Sequence, residues 1–464
     1  MNTRQLLLVL LFCFFRLCAY AQQTWIYPPN FPQTTNTSIE SIFIDSTNTK
    51  MYISNYYQFK SGSDSSNTIV YDGTNWSLMG ALYGAALSMA YYQNYIYACG
   101  YINYANGQGV AQVAKYNGTR WEGISGSGPN GGGGGDNSFY YMQVYRGKLY
   151  MVGGYGNVFD TLNGPPSSSL HTGNLASWNG QHWDTVGGAF NSEGAFSLAV
   201  YKNELYVGGM HLLPPHISGG DDIYKWNDTI WSPVGTNVNN YGDTVIAMAV
   251  MGGKLYAAGT FTSINGQAAN NIAVWDGTKW DSLGAGMNKD ITTLYADTAN
   301  HLLYAGGSFT TAGGKPANNI AYWDGSQWNA MGQGINGFIW RINKFQGNIY
   351  VGGDFTTADG HPCKSIAYWG CCTGVNELQN KSQTFKLYPN PNNGTMYFSY
   401  SIAIGSKASL VIYDILGRQI STYNLQGGDN ILSISENSLR AGIYYYRCTV
   451  DNILMKTDKV VIIH

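Results

Sequence analysis

The feature that most constrains this chain is a phrase it repeats. One copy reads Leu255-Tyr256-Ala257-Ala258-Gly259-Thr260-Phe261, then Asn271-Ile272-Ala273-Val274-Trp275-Asp276-Gly277-Thr278-Lys279-Trp280. The next reads Leu303-Tyr304-Ala305-Gly306-Gly307-Ser308-Phe309, then Asn319-Ile320-Ala321-Tyr322-Trp323-Asp324-Gly325-Ser326-Gln327-Trp328. A period in the forties marks an array of supersecondary units, each burying its faces against its neighbours. The phrase can be followed through the anchor tyrosines Tyr52, Tyr97, Tyr150, Tyr206, Tyr256, Tyr304 and Tyr350. It stops near Cys372, and a different kind of sequence follows.

Each copy holds four strand-length runs, such as Val245 to Val250, Leu255 to Thr260, Asn271 to Trp275 and Trp280 to Leu283. Gly, Asn or Asp falls between them, as turns require. Met251-Gly252-Gly253 joins the first pair. Asp276-Gly277 joins the last, and Asx-Gly is a strong hairpin signal. It recurs at Asp72-Gly73, Asn117-Gly118, Asn179-Gly180 and Asp324-Gly325, and becomes Asn227-Asp228 in the fourth copy. No segment shows a sustained helical period. Four antiparallel strands at this period predict a propeller blade, so the expected fold is all-β: a seven-bladed β-propeller followed by a small immunoglobulin-like β-sandwich.

The last strands carry Trp76, Trp121, Trp183, Trp231, Trp280 and Trp328, one fewer than the anchors. The seventh copy ends at Cys371-Cys372 without a fourth strand. Gln23-Thr24-Trp25-Ile26-Tyr27 carries a tryptophan and is expected to close that blade, removing two open edges. Trp275, Trp280, Trp323 and Trp328 are read as core. The pattern resembles kelch propellers over roughly residues 38 to 372, through glycine pairs such as Gly208-Gly209 and Gly352-Gly353 with tryptophans downstream. The W-D-G-x-x-W spacing is tighter than kelch spacing, and pairs such as Cys99-Gly100 and Ala258-Gly259 are broken.

The tail begins with Tyr388-Pro389-Asn390-Pro391 after Leu387. It continues through Tyr413-Asp414 with Gly417-Arg418, through Gly442, Tyr444 and Arg447, and ends in Lys459-Val460-Val461-Ile462. These motifs, in this order, resemble the type A C-terminal sorting domain of the type IX secretion system. The resemblance implies a Bacteroidetes protein, partnered by the type IX machinery and released or held at the outer cell surface.

The N-terminus agrees with export. Arg4, the apolar run Leu6 to Phe15 and Ala19-Tyr20-Ala21 read as a cleavable signal peptide, although Cys18 also raises a lipoprotein alternative. That run is too short to span a bilayer, and no later segment would serve. The expected organisation is signal peptide 1–21, propeller 22–372, linker 373–383 and sorting domain 384–464. Only 11% of residues are charged and 14% are aromatic, unlike a disordered chain. A net charge of −2 gives no footprint for nucleic acid. After cleavage five cysteines remain, an odd count. Cys363 and Cys371 flank a strand that would hold them about 26 Å apart, too far for a disulfide.

Catalytic signatures are sparse. Gly332-Gln333-Gly334-Ile335-Asn336-Gly337 matches G-x-G-x-x-G, but dinucleotide binding needs a strand, a turn and then a helix. The histidines do not fall at metal-ligand spacing, and no cofactor is expected. A copper-radical site would need a cross-linked cysteine with tyrosines and histidines, and no marker picks these out. Long loops on a rigid scaffold often carry function, and blades three and four carry insertions at Tyr155 to Asn174 and Met210 to Asp222. Tyr155, Phe159, His211 and His216 are the candidate ligand contacts. One reading is a non-catalytic binding or adhesion module for a glycan or a surface protein. The alternative is a polysaccharide lyase or hydrolase with acids at the channel mouth. A third is a spacer without a ligand. Acids gathered at the mouth would favour the enzyme; an open aromatic strip would favour glycan binding.

Overall fold

The computed structural model describes residues 23–32, 37–45, 47–61, 64–110, 112–124, 138–154, 157–159, 169–217, 221–235, 243–371, 385–393, 395–402, 408–426, 428–435, 439–450 and 453–463. The expected signal peptide and linker lie outside these residues. The chain divides into two compact units. One is Gln23–Gly370; the other contains Cys371–His464.

The first unit is a β-propeller. Seven sheets follow one another along the chain, each built on a path of four antiparallel strands. The fifth is typical: Val245–Met251, Lys254–Gly259, Ile272–Trp275 and Trp280–Ser282, in that order. The first strands of successive sheets pack together in a closed cycle, with Phe338–Phe345 of the last against Ile39–Ile44 of the first. Hydrophobic clusters lie between neighbouring sheets. One unites Tyr256 and Ile272 of the fifth with Leu303 and Trp328 of the sixth. The anchor tyrosines and closing tryptophans therefore seal one blade to the next.

The ring closes as the sequence suggested. Gln23–Ile26 is the outer strand of the sheet containing Ile366–Cys371, Asn348–Asp354 and Phe338–Phe345. Trp25 occupies the missing tryptophan slot. Trp231, Trp280 and Trp328 donate their indole N–H groups to the carbonyls of Val186, Val234 and Leu283 in the preceding blade, at 2.9, 2.9 and 3.0 Å. Trp25 donates to Met331 O at 2.9 Å, the matching carbonyl. It packs on Trp369 at 5.3 Å, as Trp280 packs on Trp275. Trp280 and Trp328 are fully buried, while Trp275 and Trp323 pack partly buried against the same clusters.

The Asx-Gly hairpins form one residue out of the expected register. Trp275 pairs with Trp280, and Asp276 N–H bonds Lys279 O, so Gly277-Thr278 make the turn. Gly277 alone is left-handed (φ 107°), the Gly-X rather than the Asx-Gly pattern. Asp276 instead caps the turn with its side chain, whose Oδ1 accepts the N–H groups of Thr278 and Lys279 at 2.7 and 2.9 Å. Asn227 does the same for Thr229 and Ile230, and Asp228 takes the left-handed place (φ 77°). The fourth copy thus changes its letters but keeps its turn. The G-x-G-x-x-G run joins two blades and opens no helix; Gly334 lies where a Cβ would meet Asn318 O at 2.3 Å.

The second unit has two antiparallel sheets. Phe385–Tyr388, Thr395–Ile402 and Gly428–Ser435 form one; Gln419–Leu425, Ala408–Tyr413, Gly442–Val450 and Ile453–Ile462 form the other. Phe398, Leu410, Ile412, Ile434 and Tyr446 share one core between them. Cys99, Cys363 and Cys448 are buried and unbridged.

Candidate functional site

The innermost strands surround a channel of about 870 Å³. Each of them carries a β-bulge at the same place. The bulged residues are Glu40, Leu87, Tyr140, Phe196, Ile246, Thr292 and Trp340, and every one lines the channel. A bulge bends its strand and re-aims a side chain. Here it also explains the second glycine of the repeated pair. Six bulges face Gly100, Gly153, Gly209, Gly259, Gly307 or Gly353. A Cβ at Gly353 would sit 2.0 Å from Phe338 O, and one at Gly259 only 1.9 Å from Thr244 O. Blade one has Asn55 instead, buried, with its Oδ1 accepting Ser38 N–H at 2.8 Å.

The repeat fixes the scaffold and leaves the bulge position free to vary. Variation there places aromatic residues at one mouth. Tyr140 and Phe196 stack at 5.5 Å with rings nearly parallel, and Trp340 stacks on Phe338 at 5.7 Å. Blades one and two extend their strands past the bulge, toward the same face, as Met51–Ser61 with Asp64–Tyr71 and Leu82–Tyr92 with Tyr95–Ala105. These extensions carry Tyr56, Tyr57, Tyr83, Tyr101 and Tyr104, with Tyr83 directly opposite Tyr104. Tyr56, Tyr104 and Phe338 are 54%, 53% and 47% exposed.

Among the described lining residues, two are charged, Glu40 and Arg341. Arg341 follows the bulged Trp340. Its guanidinium donates to Trp340 O and, across the channel, to Leu87 O, both at 2.7 Å. The Leu87 bulge leaves that carbonyl out of the ladder and free to accept. Burial lowers the Arg341 pKa, opposed by the neighbouring Tyr141, Glu40 and Cys99. Burial raises the Glu40 carboxyl, opposed by the Ser38 hydroxyl bond at 2.8 Å and by Arg341. Burial likewise raises Tyr141.

The candidate contacts suggested by the sequence belong to the insertions of blades three and four, which follow the second strands at their bulged ends, as the extensions of blades one and two do. Tyr155 lies outside the described residues. Phe159 ends the strand Asn157–Phe159, paired with Ser169–His171 in a hairpin of its own. His211 and His216 are both exposed, with left-handed backbones at φ 46° and 66°. His211 N–H bonds Asp222 Oδ1 at 2.8 Å. Burial pushes the Asp222 carboxyl up to about 6. Among the described residues, neither His211 nor His216 lines the channel. No group of His, Cys, Asp and Glu among the described residues is arranged to hold a metal. The bulge residues and the tyrosine-rich runs of blades one and two escape a reading of the sequence alone. Their one local signal was Arg341, a cation where the other copies hold Ser41, Ser88, Tyr141, Ser197, Ala247 and Thr293.

In the second unit the tail motifs hold strands and turns. Asn390 clamps the last strand, donating to Lys459 O at 2.7 Å and accepting Val461 N–H at 2.8 Å. It sits between Pro389 and Pro391, just after Tyr388. Asp414 accepts the N–H groups of Leu416 and Arg418, both at 2.9 Å, and pairs with Arg418 Nε at 2.7 Å; Gly417 between them is left-handed. Tyr444 donates to Arg440 O at 3.0 Å. Gly442 pairs with Ile462, and Arg447 is exposed on the same strand.

The fold and channel define a β-propeller with an open aromatic mouth. Residues 386–463 match the family described as the secretion system C-terminal sorting domain, and residues 253–273 match a β-propeller domain of unknown function, DUF5122. The tail makes the chain a cargo of the type IX secretion machinery, secreted or held at the cell surface. No curated protein matches the sequence. Similar solved structures include a fungal alcohol oxidase of the AA5 family in complex with copper (11% identity, TM-score 0.33, covering 96% of this chain and 100% of that one). A Bacteroides thetaiotaomicron protein of unknown function is similar at 10% identity and TM-score 0.28, covering 74% and 99%. A Bacteroides ovatus protein described as xyloglucan PUL GH43B stands at 10% and 0.29, covering 94% and 92%. These scores are low, and none of the likenesses carries an inference about activity.

Proposed function

We propose that the exported propeller binds a glycan at the aromatic mouth of its channel. The observation that carries this reading is the convergence of Tyr101, Tyr140, Phe196 and Trp340 from four blades on one opening. Exposed tyrosines of blades one and two extend that surface. Aromatic faces present a large rigid apolar area with little conformational entropy to lose, which suits the apolar face of a pyranose ring. A rigid ring of blades holds the surface in place before ligand arrives, and an extracellular location puts it among polysaccharides.

The channel supports binding better than hydrolysis. Glycoside hydrolysis ordinarily uses a pair of carboxylates about 5–10 Å apart, and among the described lining residues Glu40 is the one carboxylate. The test is a panel of soluble polysaccharides assayed on the exported protein for both binding and cleavage. At least one glycan binds without being shortened, and Trp340→Ala weakens that binding about tenfold or more while the melting temperature holds. Chain cleavage would replace this reading with the enzymatic one. Binding untouched by Trp340→Ala would move the site away from the mouth.

A further inference from the structure

Arg341 is the odd residue of the inner ring. The equivalent positions, one residue after each bulge, hold Ser41, Ser88, Tyr141, Ser197, Ala247 and Thr293. Blade seven alone puts a permanent cation there, directly beside Trp340. Two other part-buried cations have carboxylate partners: Lys344 meets Asp297 at 2.6 Å, and Lys225 meets Glu204 at 2.9 Å. Arg341 has none at ion-pair distance among the described residues. Its two hydrogen bonds go to neutral carbonyls.

A guanidinium withdrawn from bulk water without an ion-pair partner in contact is costly, and its remaining donors stay available to an anion. The carbonyl bonds hold the group fixed across the channel, so little rotamer entropy is lost when a ligand pairs with it. Among the described lining residues Glu40 is the one carboxyl; it accepts the Ser38 hydroxyl and attracts Arg341 without reaching ion-pair distance. Fixed, unpaired and next to an aromatic platform, Arg341 is placed to read a negative substituent on a sugar whose ring stacks at the mouth.

We propose that the ligand of this mouth is an anionic glycan, with one carboxylate or sulfate group taken by the Arg341 guanidinium. This rests on the glycan-binding reading above and names its chemical class. The test is calorimetric titration of the exported protein with three oligosaccharides: an oligogalacturonate, its carboxyl-reduced neutral counterpart, and a sulfated galactan of similar length. At least one anionic chain binds about tenfold or more tighter than the neutral one, the size of a charge-assisted pair. The advantage shrinks as salt rises. Which anionic chain wins identifies the group.

In Arg341→Gln the ratio of anionic to neutral affinity falls toward one. A strut between blades seven and two and nothing more would lower the melting temperature and leave that ratio unchanged. Should Arg341→Gln not fold, Arg341→Lys keeps the charge without the fork, and a reduced ratio is again expected. Equal affinity for all three chains in the unaltered protein would overturn the anionic inference and leave glycan binding standing. So would an anionic preference that survives Arg341→Gln. Failure of every chain to bind would overturn both.

Discussion

Gly353 shows what the repeat requires at a single position. It faces the Trp340 bulge, and a methyl group there would sit 2.0 Å from Phe338 O, backbone that cannot move without its blade. Gly353→Ala is therefore expected to lose about 2–4 kcal/mol in chemical denaturation, in the range of substitutions that force strain into a packed core. A loss within about 0.5 kcal/mol would mean that the bulge relaxes easily. The glycine pairs were legible in the sequence; their reason was not. A bulge is a register event between two strands, and no residue pattern within one strand announces it. The same limit hid the site. Glu40, Tyr140, Phe196 and Trp340 look unrelated as letters, and only the register makes them one ring.

At the scale of the element, the first strand of the ring stands farthest from its partners in the chain. Trp25 is buried, bonded to Met331 O, and packed on Trp369. Trp25→Ala is expected to cost about 3–5 kcal/mol, the range for deleting a buried tryptophan. Removing residues 23–27 should lower the melting temperature further, because it leaves Ile366–Cys371 as an open edge. An unchanged melting temperature would show that the ring does not need this clasp. The strand was legible because its tryptophan completed a count of six against seven. The strand extensions of blades one and two were less legible. Pairing of their tyrosine runs, such as Tyr83 with Tyr104, appears only in the folded sheet. Insertion length drew attention to blades three and four, whose insertions follow the same second-strand ends as the tyrosine-rich extensions of blades one and two.

At the scale of the molecule, two units divide the chain. One is the propeller, proposed above to bind, and the other carries the sorting motifs in strand and turn contacts, such as Asn390 on Val461 and Asp414 on Arg418. Deleting residues 385–464 is expected to leave the propeller inside the cell envelope, while the full chain reaches the medium or the cell surface; fractionation and immunoblotting read the difference. Equal export of both forms would remove the sorting role. The address was legible from the sequence alone because its motifs are short, ordered and local. The binding site was not, because each blade contributes one residue from a distant part of the chain.

The most direct test of binding at the mouth is hydrogen exchange on the exported protein, with and without a glycan it binds. Protection is expected at backbone amides around Glu40, along Leu82–Tyr92 and Tyr95–Ala105, and around Trp340 and Arg341, which together form the mouth. Protection confined to the blade-four insertion at His211 and His216, or to the small outer hairpins of blades five to seven, would contradict it.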